Sequence, residues 1–256
     1  MKKERTETLY DSLTDVDPSF LEEAGKAPDI RTRKGTVLLK WAVPAACLCL
    51  VFSLFLTHSE PNGEIELSDR SKNVTAAYLS EVPDVETESC LVAMSEEELF
   101  TTLPTAILKG TVTDLKNIEL SFQGEKVYRA VATLEVEKVY RGTCREGDSV
   151  TILLPCPIGN DMQVSTCSIL ESLKVGMTGI FMLVSYNDEN ALWEENGAVL
   201  DKRDLSEYGL PDGERYLFLE TDDGLLFDRI SYNRVKNAST LTELEDYITK
   251  MIQKTE

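Results

Sequence analysis

"YRAVATLEVEKVYRG", residues 128–142, decides the fold class. Tyr128, Ala130, Ala132, Leu134 and Val136 fall on one side of a two-residue period. Arg129, Thr133 and Glu135 fall on the other, with Val131 the exception. Successive side chains of an extended chain point to opposite faces, so this pattern predicts a strand with one buried face. After Val136 the next apolar residue is Val139, three positions on. One inserted residue near Glu137 and Lys138 restores the phase. Such an insertion is a β-bulge, and it bends the strand so that one strand can serve two parts of a sheet.

The flanking sequence extends this reading. "AILKGTVTDLKNIEL" (106–120) predicts a preceding strand that carries Gly110 and connects through Gln123-Gly124. "DSVTILL" (148–154), "GIFMLVSY" (179–186), "RYLFLE" (215–220) and "LLFDRI" (225–230) predict further strands, with glycines at their ends. "GIFMLVSY" is almost wholly apolar, which places it centrally. At the C-terminal end Thr240 and Glu243 have capping-box spacing, and Leu241, Leu244, Ile248 and Met251 form one helical stripe. The expectation is a mainly β domain over 100–256, a small OB-like closed barrel with a C-terminal helix; a β-sandwich is the alternative architecture. Loops 156–167 and 187–213 are long, polar and glycine-bearing, and are the expected recognition loops.

The order "LKGTV", "ATLEVEKVYRG", "GDSVTILLP", "LKVGMTGIFML", over roughly 105–186, resembles the netrin-like module shared with tissue inhibitors of metalloproteinases. The resemblance implies the same barrel. In those inhibitors a free N-terminal cysteine engages the protease zinc. Here residues 41–99 precede the barrel, so protease inhibition is not carried over.

Upstream, "RTRKGTVLLKWAVPAACLCLVFSLFLTHSE" (31–60) holds an apolar core from Trp41 to Leu56. With residues 37–39 it reaches the length of a span, and Lys40 can turn its ammonium back to the headgroups. Arg31, Arg33, Lys34 and Lys40 precede the core, whereas Glu60, Glu64, Glu66 and Asp69 follow it. The basic flank is the cytoplasmic one. The expected layout is therefore a cytoplasmic helical tail (1–35), one transmembrane helix (36–57), an acidic stalk or linker (58–99) and an extracytoplasmic domain (100–256). The apolar stretch starts too late for a typical signal peptide. The tail is expected to form helices near 4–15 and 18–24, where Asp17, Pro18 and Gly25 supply start and stop signals. "LYDSLTDVDPSFLEEAG" (9–25), followed by basic residues and one span, resembles the tails of single-pass membrane proteins of anaerobic Gram-positive bacteria, some of them regulators of sigma factors. The zinc-type anti-sigma signature needs one His and two Cys in this part, and the tail has neither residue.

The chain has 256 residues and a formal net charge of −19. The first 40 residues are neutral overall, so the excess lies beyond the expected span. That balance excludes a nucleic-acid partner and close adhesion to an anionic bilayer. The single histidine is His58. Its position removes Ser-His-Asp and Cys-His catalysis, and His-based metal sites, from the domain. The carboxylate pairs Asp188/Glu189, Glu194/Glu195 and Asp222/Asp223 are adjacent in sequence and read as solvated turns rather than a glycosidase site. No catalytic residue, cofactor site or metal site is expected. Trp193 and the tyrosines read as core or rim packing, or as the lining of a pocket. Beyond the span lie Cys90, Cys144, Cys156 and Cys167. Cys156 and Cys167 bound one segment and are the candidate disulfide; all four thiols staying reduced is the alternative.

The functional expectation is a non-enzymatic, membrane-anchored binding or sensing protein that recognises an envelope protein or glycan. A signalling regulator whose tail holds a cytoplasmic partner is the second reading, and a surface hydrolase the third.

Overall fold

The computed structural model describes residues 63–81, 83, 91–159 and 167–255. The expected tail, the expected span, His58 and Cys90 lie outside the described residues. Among the described residues no helix is long and apolar enough to cross a membrane.

The bulged strand is the backbone of the fold. β3 (Ala106–Phe122) and β4 (Glu125–Arg141) form a 17-residue antiparallel hairpin. Its turn places Gln123 and Gly124 at positive φ, as a two-residue hairpin turn requires. Lys109 pairs with Lys138 and Gly110 with Val136, so Glu137 is the inserted residue. The bulge falls where the phase slip in the sequence places it. Gly110 sits in this crowded stretch, where a Cβ would come within 2.6 Å of the Glu135 carbonyl oxygen.

Each half of β3 has a different second neighbour. Its first half pairs with β6 (Thr178–Ser185), and its second half with β2 (Val74–Leu79), which in turn pairs with β1 (Glu64–Ile65). β4 continues to β5 (Ser149–Leu154), which meets β9 (Tyr208–Gly209) in the one parallel pairing among the named strands. β9 then pairs with β6, which also carries β10 (Leu217–Thr221) and beyond it β11 (Gly224–Leu226). The result is a nine-stranded mixed sheet that is partly ringed, because β6 returns to β3. β7 (Leu192–Glu195) and β8 (Ala198–Asp201) form a separate hairpin.

Two α-helices among the described residues pack against the sheet. α1 (Glu96–Thr101) starts with a complete capping box between Ser95 and Glu98 and buries Leu99 and Phe100. α2 (Leu241–Thr255) buries the expected stripe together with Tyr247 and Ile252. The Glu243 amide bonds the Thr240 hydroxyl at 3.3 Å, while the Glu243 carboxylate accepts from the Ser239 amide at 2.7 Å. The reciprocal half of the expected box is thus made one residue earlier. Glu97 joins the two helices through Lys254 at 2.8 Å and reaches Arg234 at 2.7 Å.

The described residues form two apolar cores. Ala130, Ala132, Leu134 and Val136 of β4 face the larger one with β6, β10, both helices and the rings of Phe100, Phe218 and Tyr232. The smaller one lies on the opposite face, where Ile118, Leu120, Phe122 and Leu153 are covered by Ala198, Leu200 and Trp193 of the β7–β8 hairpin. Val131, the exception in the alternating pattern, packs in this second core.

The expectation of a stalk over 58–99 does not describe residues 64–79 or 95–102. Ala76 is buried, and β2 pairs with β3 along its whole length. Polar contacts then fasten the segment before β2 to the domain. Asp204 accepts from the Ser68 amide at 3.0 Å and the Ser71 hydroxyl at 2.6 Å, and Lys72 bridges to Val199. The acidic residues Glu64, Glu66 and Asp69 are exposed before β2, while Ile65, Leu67 and Val74 pack on the smaller core. A compositional reading averages over that distinction.

Candidate functional site

The hairpin β7–β8 builds the most distinctive surface feature. Its turn, Asn196-Gly197, has both residues at positive φ and meets the same two-residue requirement as the β3–β4 turn. This brings Trp193 over the outer face of β3 and β4, with its ring 4.8 Å from that of Phe122. Between Val127 and Val131 on that face stands Arg129. Its guanidinium lies 5.1 Å from the Trp193 ring centre, and one N–H donates to the Tyr128 carbonyl at 2.8 Å. Burial lowers its affinity for the proton. Arginine nevertheless stays charged, because its unperturbed pKa lies so far above neutrality.

Beside it, just after β6, the hydroxyl end of Tyr186 lies against Gly209 of β9; a Cβ there would overlap the phenol oxygen. Lys202 sets its ammonium 4.6 Å from the Tyr186 ring centre, and burial pushes its pKa down. Leu153, Leu154, Pro155 and Leu210 complete a cleft of about 240 Å³ around these four side chains. Among the described residues neither Arg129 nor Lys202 has a carboxylate within ion-pair distance, in a chain with 45 acidic and 26 basic side chains. Elsewhere, half-buried cations are neutralised: Arg203 is held by Asp201 and Asp188 at 2.7 and 2.6 Å, and Arg215 by Asp212 at 2.9 Å. Two cations on aromatic faces, half-removed from water and short of counter-charge, form a place for an anion.

Larger hollows carry less chemistry. One of about 570 Å³ is open and lined by residues 64–75, with Glu64, Glu66 and Asp69 on its walls. Another, of about 590 Å³, runs from Ser168 to the β10–β11 turn at Asp222 and Asp223. Neither combines an aromatic face with an unmatched cation. Among the described residues no three His, Cys, Asp or Glu side chains are grouped to hold a metal ion.

The sequence candidates are distributed around the domain. Asp188 is tied to Arg203, and Glu189 lies in a turn closed by the Asn187 side chain. Glu194 and Glu195 are consecutive on β7 and so point to opposite sides. Asp222 and Asp223 occupy a separate turn. No two of these pairs share one hollow among those described. Cys156 and Cys167 are both buried thiols in contact: the Cys156 thiol is pushed far up by its hydrogen bond to Cys167 and by burial. Cys144 is half-buried, and burial raises its pKa too.

Trp193 and the 187–213 segment were legible as candidates; the role of Arg129 was not. The Asn196-Gly197 dipeptide is the signal that finds the hairpin over it. The chain matches no protein-family model, no curated protein and no solved structure.

Proposed function

We propose that this chain is a single-pass membrane protein whose extracytoplasmic domain binds a component of the cell envelope and catalyses nothing. The observation that carries the reading is the pair of unmatched cations, Arg129 and Lys202, set on Trp193 and Tyr186 in an acidic domain. A surface evolved only for solubility has no use for half-buried, unneutralised charge.

The topology supports an OB-like barrel. Counted as five strands, the ring runs β3, β4, β5, β9, β6 and back to β3, with a bulged second strand. Barrels of this kind bind on the face of their second and third strands and the loop between the fourth and fifth. In this chain those are β4, β5 and the segment that carries Trp193 and Lys202. The basic inner and acidic outer flanks of residues 37–56 support an anchor with the N-terminus in the cytoplasm.

Two measurements test the reading. Full-length protein should sediment with membranes and lose its C-terminal domain to a protease added outside intact cells. The purified protein should turn over none of a broad panel of peptides, esters and glycosides. Recovery of a soluble form beginning near Glu60, or turnover abolished by replacing one carboxylate, contradicts it.

A further inference from the structure

Resting on that binding reading, the geometry points to a narrower ligand: we infer that the Arg129–Trp193–Lys202 cleft takes a single carboxylate carried on a short aliphatic body, such as the C-terminal residue of a peptide. Three features select this chemistry.

Charge comes first. Arg129 and Lys202 bring two positive charges, and the nearest opposing charge acting on Arg129 from the hairpin is Glu195, beyond ion-pair distance. Cys156 and Tyr186 also act on Arg129, but the hydrogen bond to Cys167 and burial hold the Cys156 thiol up and burial holds the Tyr186 phenol up, so both are neutral at pH 7. Both positive charges are left without a carboxylate in ion-pair distance, so the cleft is complementary to an anion.

The donors come next. One Arg129 N–H is spent on the Tyr128 carbonyl, which leaves the remaining guanidinium N–H groups and the Lys202 ammonium to serve a carboxylate's two oxygens.

Size and polarity complete the match. A hollow of about 240 Å³ has the volume of about eight waters at about 30 Å³ each, close to one terminal aliphatic residue. Leu153, Leu154 and Leu210 line it, so the body of the ligand is apolar. An unsubstituted sugar would leave these side chains against hydroxyl groups.

Trp193 supplies the readout. The chain has two tryptophans, so a Trp41→Phe background isolates its emission. Full-length protein in mild detergent is titrated with Gly-Gly-Leu carrying a free carboxylate, with its C-terminal amide, with N-acetyl-leucine and with inorganic phosphate. The expected result is a saturable change with both free acids, at least ten-fold weaker with the amide and absent with phosphate. Lys202→Met should weaken acid binding about five-fold and Arg129→Gln more than ten-fold, with Arg129→Lys intermediate and circular dichroism unchanged. Added salt should weaken it further. Tighter binding of the peptide acid assigns a chain end as the source; tighter binding of N-acetyl-leucine assigns a free acid.

Equal affinity for acid and amide, effective competition by phosphate, or indifference to Lys202→Met overturns the carboxylate assignment. So does the absence of any response. None of these outcomes decides the binding reading itself, which is judged by cross-linking from the cleft to an envelope component without any chosen ligand.

Discussion

Leu244→Ala tests whether α2 is part of the folding unit. Leu244 is wholly buried in the larger core, on a helix that packs against α1, β4 and β10. Truncation removes three methyl or methylene-level carbons and leaves a cavity that a β-sheet floor cannot readily close. Substitutions of this kind cost about 2–5 kcal/mol, and rigid surroundings favour about 3. For a unit of this size each kcal/mol lowers the melting temperature by about 2–4 °C, which gives a fall of about 6–12 °C. Urea unfolding followed by Trp193 emission should show the same loss at an unchanged slope. Lys250→Ala, on the exposed face of the same helix, should stay within about 0.5 kcal/mol. Leu244→Asp should exceed the alanine variant, because a charge then enters the apolar seam. A shift below about 1 °C for Leu244→Ala would refute the docking of α2, and equal losses for Leu244→Ala and Lys250→Ala would refute the packing argument.

Other outcomes follow from single contacts. Gly110→Ala drives a Cβ against the Glu135 backbone and should cost about 1–3 kcal/mol in the same urea assay; a neutral substitution would show that the bulge is loose. Refolding from urea in oxidised glutathione should join Cys156 to Cys167, each bridge reducing one glutathione disulfide to two thiols. Peptide mapping that finds Cys144 bridged instead, or no bridge, contradicts their adjacency. Cys156 and Cys167 should also resist alkylation at neutral pH until the protein unfolds, because both are buried and the Cys156 thiol is held high, which keeps its nucleophilic thiolate scarce. Glu97 is held down to about 2 by hydrogen bonds from Lys254 and Arg234. Its folded-state pKa is depressed, so its contribution is present above about 4.5 and is lost as the pH falls toward 2. Wild type should exceed Glu97→Gln in melting temperature at pH 7, by a small and salt-sensitive margin, and the two should converge near pH 2; a margin that widens in acid would reverse the assignment.

How far this structure was legible varies with the element. The long hairpin, its bulge at Glu137, the strands β5, β6 and β10 and the helix α2 all announce themselves, because each carries several turns of its own period. β9 does not: two residues hold no period, and its pairings are set by neighbours far away in sequence. "LLFDRI" signalled β11 but overran it, because only Gly224–Leu226 is extended. The segment 64–79 was masked by composition. Val74, Ala76 and Tyr78 alternate, yet one of the three is only an alanine, among Glu, Ser and Asp. α1 had its signal in Ser95 and Glu98, the ends of a capping box, but six residues are too few to stand out from an acidic run. The cleft was the hardest to see. A period of two assigns Arg129 to the face away from the core, and it is on that face. Whether anything covers the face depends on the β7–β8 hairpin, which lies far beyond the window in which a local period can be read.

The measurement that bears most directly on the central claim is photo-cross-linking in living cells from three positions: Trp193 and Lys202 in the cleft, and Lys250 on the exposed face of α2. A photoreactive residue at 193 or 202 should yield one defined adduct with an envelope component, and position 250 should yield none. Arg129→Gln should deplete the adduct without lowering the amount of protein. No adduct from either cleft position, or the same adduct from position 250, would contradict a binding role for this cleft.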